Sequence, residues 1–113
     1  MEKEFIPYEQ ALKLKELGFD KECLKRYYEK ELVGNGGYFP NSIKAPLYQQ
    51  AFRWFREEYK LHSTITSISQ ESWQWHITKP GESLGKLYDE DFYTYEETEL
   101  ECLKKLIEIV KNK

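Results

Sequence analysis

Two cysteines, one methionine and four prolines stand among 113 residues, and no stretch approaches the ~20 consecutive apolar residues that a helical membrane span needs. The N-terminus Met1-Glu2-Lys3-Glu4 lacks the cationic start and apolar run of a secretory signal, so a cytoplasmic protein without a membrane partner is expected. Cys23 and Cys102 lie far apart and show no C-x-x-C spacing, which removes the redox-pair and zinc half-site readings. Both are read as packing thiols on helices, and a chain of this length does not require a disulfide. An excess of basic residues is also missing. A net charge of -3 and a pI near 5.5 argue against a general polyanion binder while leaving room for a local basic patch.

Catalytic and cofactor motifs are as scarce. The only histidines, His62 and His76, form no H-E-x-x-H, and nothing marks one serine as a nucleophile. Gly34-Asn35-Gly36-Gly37 is a strong chain breaker, but no Lys-Ser/Thr follows and the G-x-G-x-x-G spacing is absent, so it reads as a loop and not a phosphate cradle. Asp89-Glu90-Asp91 lacks the alternating carboxylates and central glycine of a calcium loop and reads as a solvated turn or bulge. No catalytic residue, metal ligand or cofactor contact is assigned, and no enzymatic activity is expected.

What is present suffices for a folded domain. Hydrophobic residues make up 40% and charged residues 33%, with a mean hydropathy of -0.79, and no linker or repeat divides the chain, so residues 1–113 are read as a single domain. Pro7 to Leu17 places Tyr8, Ala11, Leu12 and Leu14 at helical spacing, and Gly18 with Phe19 predicts a Schellman ending. A second helix is predicted from an Asp20 cap to about Lys30, with Cys23, Leu24, Tyr27 and Tyr28 as its stripe. A third runs from Pro46 to about Lys60, its apolar positions being Leu47, Tyr48, Ala51, Phe52, Phe55 and Tyr59.

Beyond Leu61 the pattern changes period. Ser63 to Ile68 is rich in β-branched residues and reads as a strand, and Ser72 to Thr78 alternates cleanly, with Trp73, Trp75 and Ile77 on one face and Gln74, His76 and Thr78 on the other. Lys79-Pro80-Gly81-Glu82 predicts a type II turn, after which Leu84 to Tyr88 and Phe92 to Tyr95 return antiparallel around an interruption at 89–91. Thr94 and Glu97 form a capping box for a last helix to about Asn112. The expected fold is α+β, a small antiparallel sheet of about three strands packed with helices. The third and last helices should cover the tryptophan face. The first two either extend that layer or cover the polar face, the latter giving a three-layer alpha-beta-alpha sandwich.

The phrases Phe5-Ile6-Pro7-Tyr8-Glu9-Gln10-Ala11, Ala45-Pro46-Leu47-Tyr48-Gln49-Gln50-Ala51-Phe52-Arg53-Trp54-Phe55-Arg56 and Glu99-Leu100-Glu101-Cys102-Leu103 resemble a family of small uncharacterised proteins of Bacteroidetes bacteria and their phages. The likeness spans nearly the whole chain and brings no site residue with it. Where that family has Glu-Pro-Cys, this chain has Lys21-Glu22-Cys23. From Pro46 onward the order of elements is similar to phage sandwich domains with helices on both sides of a small sheet. The resemblance implies a phage or mobile-element protein.

Two surfaces stand out as candidates. Nine tyrosines in a chain that is 16% aromatic exceed what a small core needs, so Tyr28, Tyr38, Trp54, Tyr88, Tyr93 and Tyr95, which fall off the main stripes or near loops, are candidate contacts for a protein partner or for self-association. Lys21, Lys25, Arg26 and Lys30 beside Tyr27 and Tyr28 offer a basic and aromatic helix suited to single-stranded nucleic acid, diluted by Glu22, Glu29 and Glu31. A non-enzymatic protein-interaction module is the leading reading. A nucleic-acid-binding accessory protein is the alternative.

Overall fold

The computed structural model describes residues 4–34, 36–70, 72–81, 88–92 and 94–112. In chain order the elements are α1 (Tyr8–Glu16), β1 (Lys25–Tyr28), β2 (Glu31–Gly34), β3 (Ile43–Ala45), α2 (Tyr48–Tyr59), β4 (His62–Ser69), β5 (Ser72–Thr78), β6 (Tyr88–Phe92) and α3 (Tyr95–Lys111). The fold is α+β, with two small antiparallel sheets. Contacts gather into two compact units, Met1–Ala51 and Phe52–Lys113, so that α2 begins in the first and ends in the second. Among the described residues, no helix is long and apolar enough to cross a membrane.

In the first unit α1 ends as its sequence predicts. Gly18 takes φ +101°, Phe19 N–H donates to Leu14 O at 3.0 Å and Gly18 N–H to Lys15 O at 3.1 Å, the paired bonds of a Schellman ending. The second helix does not form. Its place is taken by a hairpin in which β1 pairs with β2 in the register Lys25↔Gly34 to Tyr28↔Glu31 and with β3 on its other side, giving the order β2-β1-β3. Four apolar residues in so short a run satisfy a strand as well as a helix, and Tyr27 and Tyr28 favour the strand. Glu29 and Lys30 make the two-residue turn with φ values of 51° and 69°, which is the type I′ geometry without its usual Asn-Gly. Cys23 consequently sits in the chain before β1 and not on a helix.

Packing in this unit follows from the hairpin. α1 lies against β3, and Ile6, Ala11, Leu14, Phe19, Ile43 and Ala45 are buried. Tyr27 lies edge-on to Tyr8 with ring centroids 5.6 Å apart, and its hydroxyl donates to Ile6 O at 2.7 Å.

The second unit is an antiparallel meander in the order β4-β5-β6, with α3 lying along all three strands. Trp75 and Ile77 are buried and Trp73 is half-buried, opposite Ile65, Ser63 and Ser67 of β4, so the alternation of β5 assigns the faces correctly. Cys102, Leu103, Leu106 and Ile107 supply the buried face of α3. Thr94 caps that helix by accepting from Glu97 N–H at 3.0 Å, and the buried Thr98 hydroxyl donates to Thr94 O at 2.7 Å. On the sheet's other face His62, Thr64, Thr66 and Thr78 are exposed. Described by itself, this unit sets α3 against one face of its sheet.

The return from β5 also differs in detail. Gly81 takes φ +82°, as a type II turn demands, and β6 pairs antiparallel with β5. Yet Asp89-Glu90-Asp91 lies inside β6, where an interruption was expected, and the register moves from Trp73↔Phe92 to Trp75↔Asp89. Three steps on β6 against two on β5 make a bulge, which is how an acidic run enters a ladder. The expected strand residues 84–87 lie outside the described residues.

Candidate functional site

The basic residues singled out from the sequence do not form one surface. Alternation along β1 sends Lys25 and Tyr27 to one side of the sheet and Arg26 and Tyr28 to the other. Lys25 stands over the Phe5 ring, its Nζ 5.4 Å from the centroid. Lys21 is exposed ahead of the strand and Lys30 is exposed in the turn. The basic and aromatic helix of the nucleic-acid reading is thus replaced by a strand that divides its members.

Arg26 finds other company. In the ladder it stands directly opposite Lys44 of β3, and its Nε donates to Ser42 Oγ at 2.6 Å. Lys44 Nζ donates to the Asp20 carbonyl oxygen, also at 2.6 Å. Lys15, from the last turn of α1, joins these two cations around a cavity of about 150 Å³ with Phe19, Asp20 and Ser42 in its wall. On the far side of Arg26 and Ser42 lies a second, more open hollow of about 330 Å³ between Glu22, Gly37, Tyr38 and Phe39. A Cβ on Gly37 would stand 2.7 Å from the Phe39 ring, so that glycine permits the ring's approach, and the ring's other neighbour is Tyr28, at 5.1 Å between centroids.

Lys15, Ser42 and Lys44 were not singled out from the sequence. Ile43-Lys44-Ala45 does alternate, but three residues are too few for a period of two to be read.

The aromatic candidates scatter. Tyr38 is 88% exposed, Tyr95 is 42% exposed and Tyr28 is half-buried. Trp54 is corrected: it is 5% exposed and sits in the core edge-on to Phe55 and Tyr59, at 5.1 and 5.4 Å between centroids. The buried stripe of α2 runs Tyr48, Ala51, Trp54, Phe55, turned by about one position from the stripe expected, which leaves Phe52 half-buried. Tyr88 is placed by its backbone alone, opposite His76, and Tyr93 lies outside the described residues. Tyr95 meets Trp73 edge-on at 5.3 Å, and burial, followed by the charge and hydrogen bond of Glu99, raises its phenol above the ordinary range.

Neither thiol is poised to react. Cys23 and Cys102 are free and buried. Burial pushes Cys23 up to about 11 in spite of the nearby Lys44 and Arg26, and pushes Cys102 up to about 12 in spite of a hydrogen bond from Ser63. Among the described residues, no group of three or more His, Cys, Asp or Glu side chains stands where it could hold a metal ion. His62 and His76 share the exposed face of the second sheet, each opposite a threonine.

One further surface belongs to β4. It has a neighbour on one side only, and among the described residues no strand pairs with its outer edge. Its eight residues contain no Lys, Arg, Asp, Glu or Pro. The other edge strands differ: β6 holds three consecutive acids, β2 begins with Glu31, and β3 is three residues long with Lys44 at its centre. Ile68, 50% exposed, sits at the shift in register between Ser67 and Ser69 near the end of β4.

No family model, no curated protein and no solved structure matches the chain.

Proposed function

We propose that the protein is a non-enzymatic interaction module that associates with a second copy of itself through the outer edge of β4. The observation that carries this reading is the open, uncharged edge. Unpaired N–H and C=O groups along a strand are a template for another strand, and proteins that must stay apart blunt such edges with lysine, proline or brevity. β4 has none of these over His62–Ser67, and only the bulge near Ser69 disturbs it.

A second copy is the occupant that the strand's composition favours. In antiparallel self-pairing about a two-fold axis, every opposing residue is drawn from His, Ser, Thr and Ile, so no like charges meet and threonine pairs with threonine. Such pairing continues the sheet and keeps both copies of α3 on the same face. A charged extended peptide would find no complementary charge along this edge. The resemblance of residues 5–11, 45–56 and 99–103 to small phage and bacterial proteins is the ground for proposing a mobile-element setting for the module.

Light scattering coupled to size exclusion tests the reading. The wild-type chain is expected to run as a dimer, and Thr64→Lys/Thr66→Lys, which changes only exposed side chains, to run as a folded monomer. A wild-type monomer at the highest attainable concentration, or a lysine variant that still dimerises, rejects it.

A further inference from the structure

Arg26 and Lys44 stand directly opposite each other on neighbouring antiparallel strands, a position where like charges destabilise a sheet. Among the described residues, neither has a carboxylate within ion-pair distance, whereas Arg53–Glu57, Lys104–Glu101 and Lys105–Glu108 form ion pairs along α2 and α3. Each of the two cations is held instead by a neutral oxygen, Ser42 Oγ for Arg26 and the Asp20 carbonyl for Lys44. Their positions are therefore fixed while their charges stay uncompensated. Lys15 adds a third cation to the same cavity, although its place in the last turn of α1 also answers the helix dipole, so the main weight falls on the cross-strand pair.

We propose that this cavity is a site for a phosphate group, contacted by Arg26 and Lys44, with Lys15 and the Ser42 hydroxyl completing the shell. Three cations and the one carboxylate of Asp20 line the inner cavity, and Glu22 stands beside Arg26 on the wall of the outer hollow, so the inner cavity keeps a positive excess that an anion balances. A guanidinium fixed through its Nε keeps its two terminal nitrogens for oxygen acceptors, the geometry by which arginine grips phosphate. At about 150 Å³ the cavity falls below the ~300 Å³ at which pockets begin to hold drug-sized molecules, so it suits the anionic group alone.

The rest of such a ligand has a place to go. Arg26 and Ser42 line both the inner cavity and the outer hollow, and the outer one is walled by Tyr38 and Phe39. A phosphate monoester with a flat apolar body, its phosphate inside and its body against these rings, is the ligand class that the two spaces fit. The Gly34-Asn35-Gly36-Gly37 segment then contributes through Gly37, by letting Phe39 close the wall, and not as a phosphate cradle.

Titration of the full chain with inorganic phosphate, phenyl phosphate, acetate and chloride at equal ionic strength, followed by calorimetry and by the thermal midpoint, tests this. Inorganic phosphate is expected to raise the midpoint saturably, phenyl phosphate to bind more tightly, and acetate and chloride to share only a small unsaturable effect. Arg26→Gln/Lys44→Gln should weaken phosphate binding at least tenfold while leaving the ligand-free chain no less stable than wild type, because the repulsion is gone. Lys44→Gln alone gives the intermediate case should the double variant unfold. Tyr38→Ala should erase the advantage of phenyl over inorganic phosphate. Phosphate behaving like acetate, or Lys44→Gln binding it as wild type does, overturns the site. Equal affinity for the two phosphates in the wild type overturns the role of the outer hollow.

Discussion

At 6% exposure Trp75 places its indole in the core of the second unit, while its Nε1–H meets no acceptor among the described residues. An unsatisfied buried donor costs about 1–3 kcal/mol, whereas truncating a buried large aromatic to alanine costs about 3–5 kcal/mol. The two substitutions at this position should therefore separate widely. Trp75→Phe keeps most of the ring contacts and removes the orphaned donor, so it is expected to stay within about 1–2 kcal/mol of wild type, and Trp75→Ala to lose most of the folding free energy. Urea denaturation followed by circular dichroism distinguishes them, and equal losses would show that the donor costs nothing.

The thiols set the alkaline limit. Because the folded chain holds the Cys102 proton up to about 12 against an ordinary value of 9.0, the unfolded chain releases it first, and stability falls as pH rises through that interval. Cys23, raised to about 11, and Tyr95, also raised, act in the same direction. Cys102→Ala should flatten the decline of the urea midpoint above pH 9.0. An unchanged slope would place the alkaline sensitivity elsewhere.

Among the elements, the β1–β2 hairpin is the least comfortable. Glu29 and Lys30 both take positive φ, where side chains other than Asn and Gly pay about 1 kcal/mol each. Glu29→Asn/Lys30→Gly should stabilise the first unit by about 1 kcal/mol or more, seen as a rise in thermal midpoint. A fall would mean that the turn is not type I′ in solution. The same strain explains why the hairpin was illegible in the sequence. Its turn lacks the Asn-Gly signature, its strands are four residues each, and β1 is completed by β3, which follows after a glycine-bearing loop. Signals confined to a few neighbouring residues fared better. The Gly18-Phe19 ending of α1 and the Thr94–Glu97 cap of α3 were readable because both are satisfied by hydrogen bonds within one turn.

At the scale of the whole molecule, the α+β class was legible from one strand. Trp73, Trp75 and Ile77 alternate with Gln74, His76 and Thr78, and only a sheet with one covered face uses that pattern. The cationic cavity was not legible, because Lys15, Arg26 and Lys44 belong to three elements and come together through the very hairpin that the helical spacing of Tyr27 and Tyr28 concealed. The proposed pairing through β4 would link folding to concentration. If copies pair only when folded, the thermal midpoint of the wild type should climb with protein concentration, and that of Thr64→Lys/Thr66→Lys should not. A midpoint independent of concentration in both would separate the edge from any role in stability.

The two margins of the second sheet are unlike: β4 is without charge, and β6 carries Asp89, Glu90 and Asp91 in succession. A ribbon able to grow at both margins propagates into a fibre, whereas one that accepts a neighbour at β4 and repels its own kind at β6 terminates once two copies have met. On the proposed pairing, the acidic run in β6 would keep the opposite margin from accepting a further copy, and neutralising it is expected to let a pair extend into a filament.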